Sequence, residues 1–330
     1  MKVFVYSTRK DEMPFFRHYA PLYKQELAFC KENLKESNVE WAKGCEAVLI
    51  AAASDINQSI LKQLKEMGIK YVVTRAAGTN HLDLQAMASL GLKSANVPSY
   101  SPQAISEHTL GITLALLRYY NVLWKRMEQQ NYRLGGLLGK EINKMQVGIV
   151  GTGKIGYETL KAFRGLGAKV LAYDLYPNEK VRELAEYVDF ETLLAQSDLI
   201  SFHCPLTEEN YHFINRQTIH LMKKGVYLVN TARGGLFDWE AILEGLESEQ
   251  IGGLAFDVYE KEEIFIRKDL QGQEPSDEIF RALLNKDQVV YTPHVGFYTD
   301  EAVANMVEYG LKNLWEYEFE GSCKNELIRE

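Results

Sequence analysis

Short apolar runs separated by amphipathic stretches set the rhythm of this chain. Val3–Tyr6, Ala47–Ala51, Tyr71–Thr74 and Ser94–Val97 read as strands, because each is brief and apolar and is bounded by turn-forming residues. Between them, Ser59–Met67 and Leu84–Leu90 place apolar residues at helical spacing, which predicts a parallel sheet with helices on its faces. The alternation returns later, with strands expected near Val147–Val150, Val170–Tyr173, Leu199–His203, Val226–Asn230, Leu254–Asp257 and Val289–Tyr291. A long helical segment opens at Ser101-Pro102, where serine suits the cap and proline the first helical position. Its Leu110–Leu117 portion is almost wholly apolar, which predicts burial between domains or in a subunit interface. Asp300–Tyr317 reads as a last helix, with Thr299 as cap and Asp300 and Glu301 in its first turn.

At 330 residues the chain is long enough for about two domains. A net charge of −8 argues against a nucleic-acid surface, and no apolar run reaches the ~18 residues of a membrane span. Cys30, Cys45, Cys204 and Cys323 form no CxxC pair, which suits free thiols in a reducing cytoplasm. The start of the chain runs directly into a strand, without a signal-peptide layout. One segment carries far more information. Val147–Val150 leads into Gly151-Thr152-Gly153-Lys154-Ile155-Gly156, then a helical stretch, then a strand ending at Asp174. Gly151 permits the tight turn, Gly153 lets the backbone approach a pyrophosphate, and Gly156 lets the helix pack on the strand. The helix N-terminus offers free N–H groups and partial positive charge to phosphates. Asp174, 18 residues past Gly156, suits the ribose hydroxyls. No Arg or Lys follows it until Lys180, so a 2′-phosphate would meet a carboxylate without a cation, and NAD is expected in preference to NADP.

Open α/β sheets bind ligands beyond the carboxyl ends of their strands. In this half three such ends carry reactive residues. Thr231-Ala232-Arg233 follows Val226–Asn230, Asp257 with Glu260 and Glu262 follows Leu254–Ala255, and Pro293-His294 follows Val289–Tyr291. Arginine matches a carboxylate with a planar donor fork, and histidine gives or takes a proton near neutrality. A nearby carboxylate favours the imidazolium. Those residue types suit reduction of a 2-oxo acid, in which hydride reaches the carbonyl carbon and a proton its oxygen. Spacing alone does not separate Glu260 from Glu262 as the partner of the histidine.

The chain resembles the D-isomer-specific 2-hydroxyacid dehydrogenases along nearly its whole length, most closely their D-lactate dehydrogenase branch. Matching pieces are Thr74–Asp83, Val97–Pro102, Gly148–Gly156, His203-Cys204-Pro205, Asn230–Gly235, Asp257–Glu262 and Thr292-Pro293-His294. The resemblance implies two Rossmann-like or flavodoxin-like parallel-sheet α/β domains separated by a cleft. Residues 1–100 and 297–330 would form a discontinuous substrate domain, and 101–296 the NAD-binding domain. It implies Arg233 as carboxylate and carbonyl binder, Glu262 as partner of the histidine and His294 as acid/base. Ala77 and Gly78 would clasp the substrate carboxylate, with Tyr100, Ala51 and Phe297 lining the pocket. Gly151, Gly153, Lys154, Ile155, Gly156, Asp174, Cys204, Pro205, Asn210, Thr231, Ala232, Arg233 and Asp257 would contact NAD.

Two departures from the family pattern stand out. Many relatives place proline directly after the catalytic glutamate, where this chain has Glu263, and the longer Ile264–Asn285 connection matches an insertion in the D-lactate branch. That branch often has tyrosine where Ala51 aligns, so a roomier pocket is expected, admitting 4-methyl-2-oxopentanoate or phenylpyruvate. No Arg or Lys in Val48–Asp55 offers a partner to a second carboxylate, which weighs against 2-oxoglutarate. Rival expectations are a phosphoglycerate or other dehydrogenase of the family, or a non-catalytic NAD-sensing corepressor. Glu262 weighs against a formate dehydrogenase, which has glutamine there. His18, His108, His212 and His220 read as surface or hydrogen-bonded residues, and His81 as shaping its loop. His203 and Cys204 make a poor metal pair, so no metal is expected. A cytoplasmic homodimer acting on a small acid, without nucleic-acid or membrane partners, completes the reading.

Overall fold

A computed structural model describes residues 1–54 and 56–328; Asp55, Arg329 and Glu330 lie outside the described residues. The chain divides into two compact units, Met1–Ser101 with Tyr298–Glu330, and Pro102–Phe297. Each is built on a wholly parallel sheet.

In the first unit the strands are β1 (Lys2–Val5), β2 (Glu26–Phe29), β3 (Ala47–Ile50), β4 (Tyr71–Thr74) and β5 (Lys93–Ala95), in the order β2-β1-β3-β4-β5. The order reverses between β1 and β3, the position where sheets of this kind hold ligands at their carboxyl ends. Helices Gln58–Glu66 and Leu84–Ser89 cover one face, burying Ile60, Leu61, Leu64 and Met87 with Val48, Ile50 and Val72. On the other face, Val307, Leu311, Leu314 and Tyr317 of the helix Asp300–Phe319 pack on Val3, Val5, Leu49 and Val73. Thr299 caps that helix through the Ala302 amide at 3.2 Å, as expected. Strand β2 is absent from the sequence reading. It is an edge strand whose residues are mostly exposed, so it shows no continuous apolar run.

Arg75, directly after β4, is 0% exposed. Its Nη2 donates to the carbonyls of Tyr6 (3.3 Å) and Ser7 (3.2 Å), and its Nε lies 3.3 Å from Oε1 of Glu12. The side chain thereby ties the carboxyl end of β4 to that of β1. Burial holds the Arg75 guanidinium below its ordinary pKa, and Glu12 opposes that fall.

The second unit has strands β6 (Gln146–Val150), β7 (Lys169–Tyr173), β8 (Glu186–Tyr187), β9 (Leu199–Phe202), β10 (Val226–Asn230), β11 (Ile251–Phe256) and β12 (Val289–Tyr291). Their order is β12-β11-β10-β9-β6-β7-β8, with the reversal between β6 and β9. Strand β11 begins at Ile251, earlier than the expected Leu254, because Gly252 and Gly253, poor strand formers, hide its first half from the sequence pattern. A Cβ at Gly252 would strike the Gly225 carbonyl, and one at Gly253 would crowd Leu116 and Tyr227. In the helix Pro102–Leu117, Ile112, Leu116 and Leu117 are buried in this unit's own core with Val147, Leu160, Phe163 and Val229, while Leu110 and Leu114 are half-buried.

Beyond the helix Tyr120–Glu128, the next turns fold back on it. Arg126 Nη1 donates to the carbonyls of Gly135 (2.7 Å) and Arg133 (3.4 Å). Leu134 and Leu138 are nonetheless 85% and 91% exposed, beside exposed Trp124, Met127 and Tyr132. No helix among the described residues is long and apolar enough to cross a membrane.

Removing a carboxylate from a fully buried guanidinium leaves an uncompensated charge. Glu12→Ala should therefore lower stability by about 3–5 kcal/mol, read by urea unfolding. A loss under ~1 kcal/mol would mean that backbone carbonyls alone satisfy Arg75.

Candidate active site

The glycine turn sits between β6 and the helix Lys154–Gly165. Gly151 has φ +90°, and a Cβ there would press on the His203–Cys204 backbone that leaves β9, the other strand at the order reversal. A Cβ at Gly156 would collide with the Gly151 carbonyl, so the helix closes on the turn as the sequence pattern requires. Gly153 differs: nothing lies within 4 Å of a Cβ built on it, and it N-caps the helix without a side-chain cap bond. The backbone at the helix start is thus open to close approach, and the free N–H groups of a helix N-terminus suit a phosphate. Lys154 is exposed and Ile155 half-buried at that entrance.

Asp174 follows β7. One of its oxygens accepts the Thr152 amide at 2.5 Å and the Thr152 hydroxyl at 2.9 Å; the other accepts the Tyr176 amide at 2.9 Å. Thr152, the variable position inside the glycine pattern, therefore aims this carboxylate. Burial pushes the Cys204 thiol up to about 11, and Asp174 adds to the rise. Burial lowers the His203 imidazole to about 3, so that ring is neutral, with Nε2 on Ser201 Oγ at 2.8 Å. Pro205 and Asn210 stand on the same loop. Asn210 Nδ2 donates to the Pro205 carbonyl at 2.7 Å, and its Oδ1 accepts the Thr207 amide at 2.7 Å.

The loops after β10, β11 and β12 lie side by side because their strands are neighbours. After β10, Asn230 accepts the Ala232 amide (3.0 Å) and donates to the Arg233 carbonyl (2.9 Å), fixing the turn that carries the guanidinium. Thr231 Oγ1 meets Thr109 Oγ1 at 2.8 Å, and Arg233 Nη1 donates to the Ala232 carbonyl at 2.7 Å. A Cβ on Gly234 would strike the backbone of Tyr259 and Glu260, so the β10 and β11 loops touch main chain to main chain.

His294, after β12, has φ +54°. A left-handed non-glycine residue costs roughly 1–2 kcal/mol and persists only where its surroundings dictate it. Asp257 supplies that constraint. Its buried carboxylate accepts Thr292 Oγ1 (2.6 Å), the Val295 amide (2.9 Å) and the Gly296 amide (2.8 Å), while its carbonyl accepts the His294 amide (2.8 Å). His108 Nε2 lies 2.9 Å from Thr292 Oγ1 and 3.3 Å from Asp257 Oδ1. Burial raises the Asp257 carboxyl, but the bonds from His108, Thr292 and Val295 outweigh it and hold it below its ordinary value. His108 is hydrogen-bonded, as expected, but nothing in its helical surroundings marked it as a prop of this loop.

Geometry separates the two glutamates. Glu262 Oε1 lies 2.6 Å from His294 Nδ1, and its other oxygen accepts the Tyr259 amide at 3.0 Å. Glu260 instead meets Tyr211 and His212. In the first unit, Ala51 follows β3 and Ala77 and Gly78 follow its neighbour β4. Asn96 Nδ2 holds the Ala77 carbonyl at 2.7 Å, Asn305 Nδ2 holds that of Tyr100 at 2.8 Å, and Phe297 is half-buried in the second unit.

Residues 110–296 match the family model described as D-isomer specific 2-hydroxyacid dehydrogenase, NAD binding domain. The chain is 40% identical over 329 residues to an aromatic 2-oxoacid reductase of Clostridium sporogenes, covering 99% of each. It is 40% identical to a D-lactate dehydrogenase of Escherichia coli, covering 99% of this chain and 100% of that one. A solved structure of D-2-hydroxyisocaproate dehydrogenase superposes with a TM-score of 0.91 at 37% identity, covering 99% of each chain.

Asp174, with no cation beside it until Lys180, sets a cofactor test. Like charges brought together cost several kcal/mol, so kcat/KM with NADH should exceed that with NADPH by about 100-fold or more. Equal values with the two would contradict that reading of Asp174.

Proposed function

The chain belongs to the D-isomer-specific 2-hydroxyacid dehydrogenases, and from that premise we propose that its preferred substrates are 2-oxo acids bulkier than pyruvate, aromatic ones included. It is an NAD-dependent oxidoreductase that reduces 2-oxo acids to D-2-hydroxy acids. The observation that carries the finer reading is the run Ala51-Ala52-Ala53 at the carboxyl end of β3, half-exposed at Ala51 and exposed beyond it. Where many D-lactate relatives place a phenol, this chain has a methyl group. The similarity to a relative named for aromatic 2-oxo acids supports the same choice.

The donor set fits NAD: an uncapped helix start at Gly153, a turn that only glycines permit, and Asp174 aimed by Thr152. Gly151, Gly153, Lys154, Ile155 and Gly156 take the pyrophosphate and Asp174 the ribose, with Cys204, Pro205, Asn210, Thr231, Ala232 and Asp257 walling the rest. When bound, NADH supplies the hydride. Glu262 accepts a hydrogen bond from His294 Nδ1–H, which leaves Nε2, protonated in the imidazolium form, as the atom that passes its proton to the substrate oxygen and returns the ring to the neutral Nδ1–H imidazole. Arg233 grips the substrate carboxylate and polarises the carbonyl with its planar fork. In the first unit, the amides of Ala77 and Gly78 also take the carboxylate. Tyr100, Ala51 and Phe297 face the substrate side chain. Unit 1 acts as the substrate domain and unit 2 as the NAD domain.

The free thiols support a reducing compartment such as the cytoplasm. Association with a second copy is the reading that best accounts for Leu134 and Leu138, apolar side chains that stay exposed on a turn pinned by Arg126. Sedimentation equilibrium should give a dimer, and Leu134→Glu/Leu138→Glu should give monomers; a monomeric wild type would refute this.

A kinetic panel tests the substrate choice. Phenylpyruvate should be turned over at least as efficiently as pyruvate. Ala51→Tyr should lower kcat/KM for phenylpyruvate by about 10- to 200-fold, with less effect on pyruvate. His294→Asn should lower kcat on both by ~10²–10⁴-fold. Turnover of pyruvate alone would refute the roomy pocket, and an unimpaired His294→Asn the assigned acid.

A further inference from the structure

Glu260 stands two residues before the proposed acid–base partner Glu262 but points away from it. Its Oε1 accepts the Tyr211 hydroxyl at 2.6 Å and its Oε2 lies 3.2 Å from His212 Nε2. The Tyr211 and His212 rings stack at 3.9 Å with an 18° interplanar angle, so one carboxylate meets a paired donor face. Tyr211 and His212 belong to the loop after β9, Glu260 to the loop after β11, and the Arg233 loop after β10 runs between them. The bond therefore spans the middle loop.

That middle loop is confined from both sides. The His212 amide donates to the Gly235 carbonyl at 2.9 Å, and the Ile214 amide to the Leu236 carbonyl at 3.0 Å. A Cβ on Gly235 would press on Leu206 and approach the Tyr211 ring, while one on Gly234 would strike Tyr259 and Glu260. His212 itself is held at φ +50°, with its carbonyl accepting Asn215 Nδ2 at 3.0 Å. The Tyr259 hydroxyl donates to Asp277 at 2.8 Å, so the turn 259–262 has one anchor behind it and Glu260 as the other.

We propose that Glu260, clamped by Tyr211 and His212, is a positioning residue that holds the Arg233 loop and the turn bearing Glu262 in register with the loop after β9. The proposal rests on the roles assigned above to Glu262 and His294. The same β9 loop carries Cys204, Pro205 and Asn210, the proposed cofactor wall. One carboxylate thus links that wall to the acid–base pair without touching any reacting atom. The Glu260, His212 and Tyr211 side chains are all partly exposed, and ion pairs so placed add little to global stability. Misplacing a catalytic group by about an ångström, by contrast, can cost ~100-fold in rate. The signature of positioning is therefore a loss of turnover out of proportion to any loss of fold.

The test uses the full-length enzyme with NADH and a 2-oxo acid that it turns over. Glu260→Gln should lower kcat by about 10- to 100-fold, with a Tm shift under about 3 °C. Tyr211→Phe, which keeps the stacked ring and removes only the hydroxyl, should give a smaller fall in kcat and serves if Glu260→Gln folds poorly. Because Glu260 acts in part through Glu262, Glu260→Gln/Glu262→Gln should lose less than the product of the two single losses. Wild-type kcat in both Glu260→Gln and Tyr211→Phe, with Glu262→Gln severely impaired, would overturn the clamp and leave the acid–base assignment standing. Multiplicative losses in the double variant would also overturn it. An unimpaired Glu262→Gln would remove both the assignment and the clamp.

Discussion

A buried carboxylate that accepts hydrogen bonds on both of its oxygens organises the loops of the second unit. Asp257 loses hydration when it is buried, and that cost is offset only because Thr292, Val295, Gly296 and His108 supply donors around it. In return the loop after β12 has a single available path, and the unfavourable backbone of His294 becomes the cheapest one. The 2.6 Å contact between His294 and Glu262 depends on that path. The pairing of His294 with Glu262 is thus a property of the loop scaffold before it is a property of its two side chains.

Comparable logic recurs across both sheets. The carboxyl ends of strands are bound to one another by polar side chains: Arg75 reaches from the end of β4 to the carbonyls that follow β1, and Asp257 joins the loop after β11 to the loop after β12. Glycines are placed where main chains must touch, as at Gly156 and Gly234, while Gly153, in the same turn as Gly156, has space above it. Crowding and openness are therefore both written with the same residue type. Within the nucleotide turn the order of the glycines in the sequence already separates the close-packed positions from the open one.

Much of this was legible in the sequence because it is local. The strands Tyr71–Thr74, Val226–Asn230 and Val289–Tyr291 occur at the expected residues, since each is a compact apolar run in a buried sheet. Edge strands β2 and β8 escaped because a strand paired on one side needs little apolar sequence. Leu110–Leu117 shows a different limit, since part of that helix is covered by its own unit's core. Periodicity reveals that a helix is buried, but not what buries it. Spacing placed Glu260 and Glu262 equally well near the histidine, and only the fold sends one to His294 and the other to Tyr211 and His212. His108 and Thr152, which brace key carboxylates, carry no motif because their contribution is made through distant partners.

The thiol beside the nucleotide turn has a practical corollary. Alkylating reagents and peroxides attack thiolates, and Cys204, pushed up to about 11, remains protonated at neutral pH. A half-buried sulfur beside that turn would otherwise be open to oxidation. Held in its thiol form, Cys204 is a poor nucleophile toward such reagents.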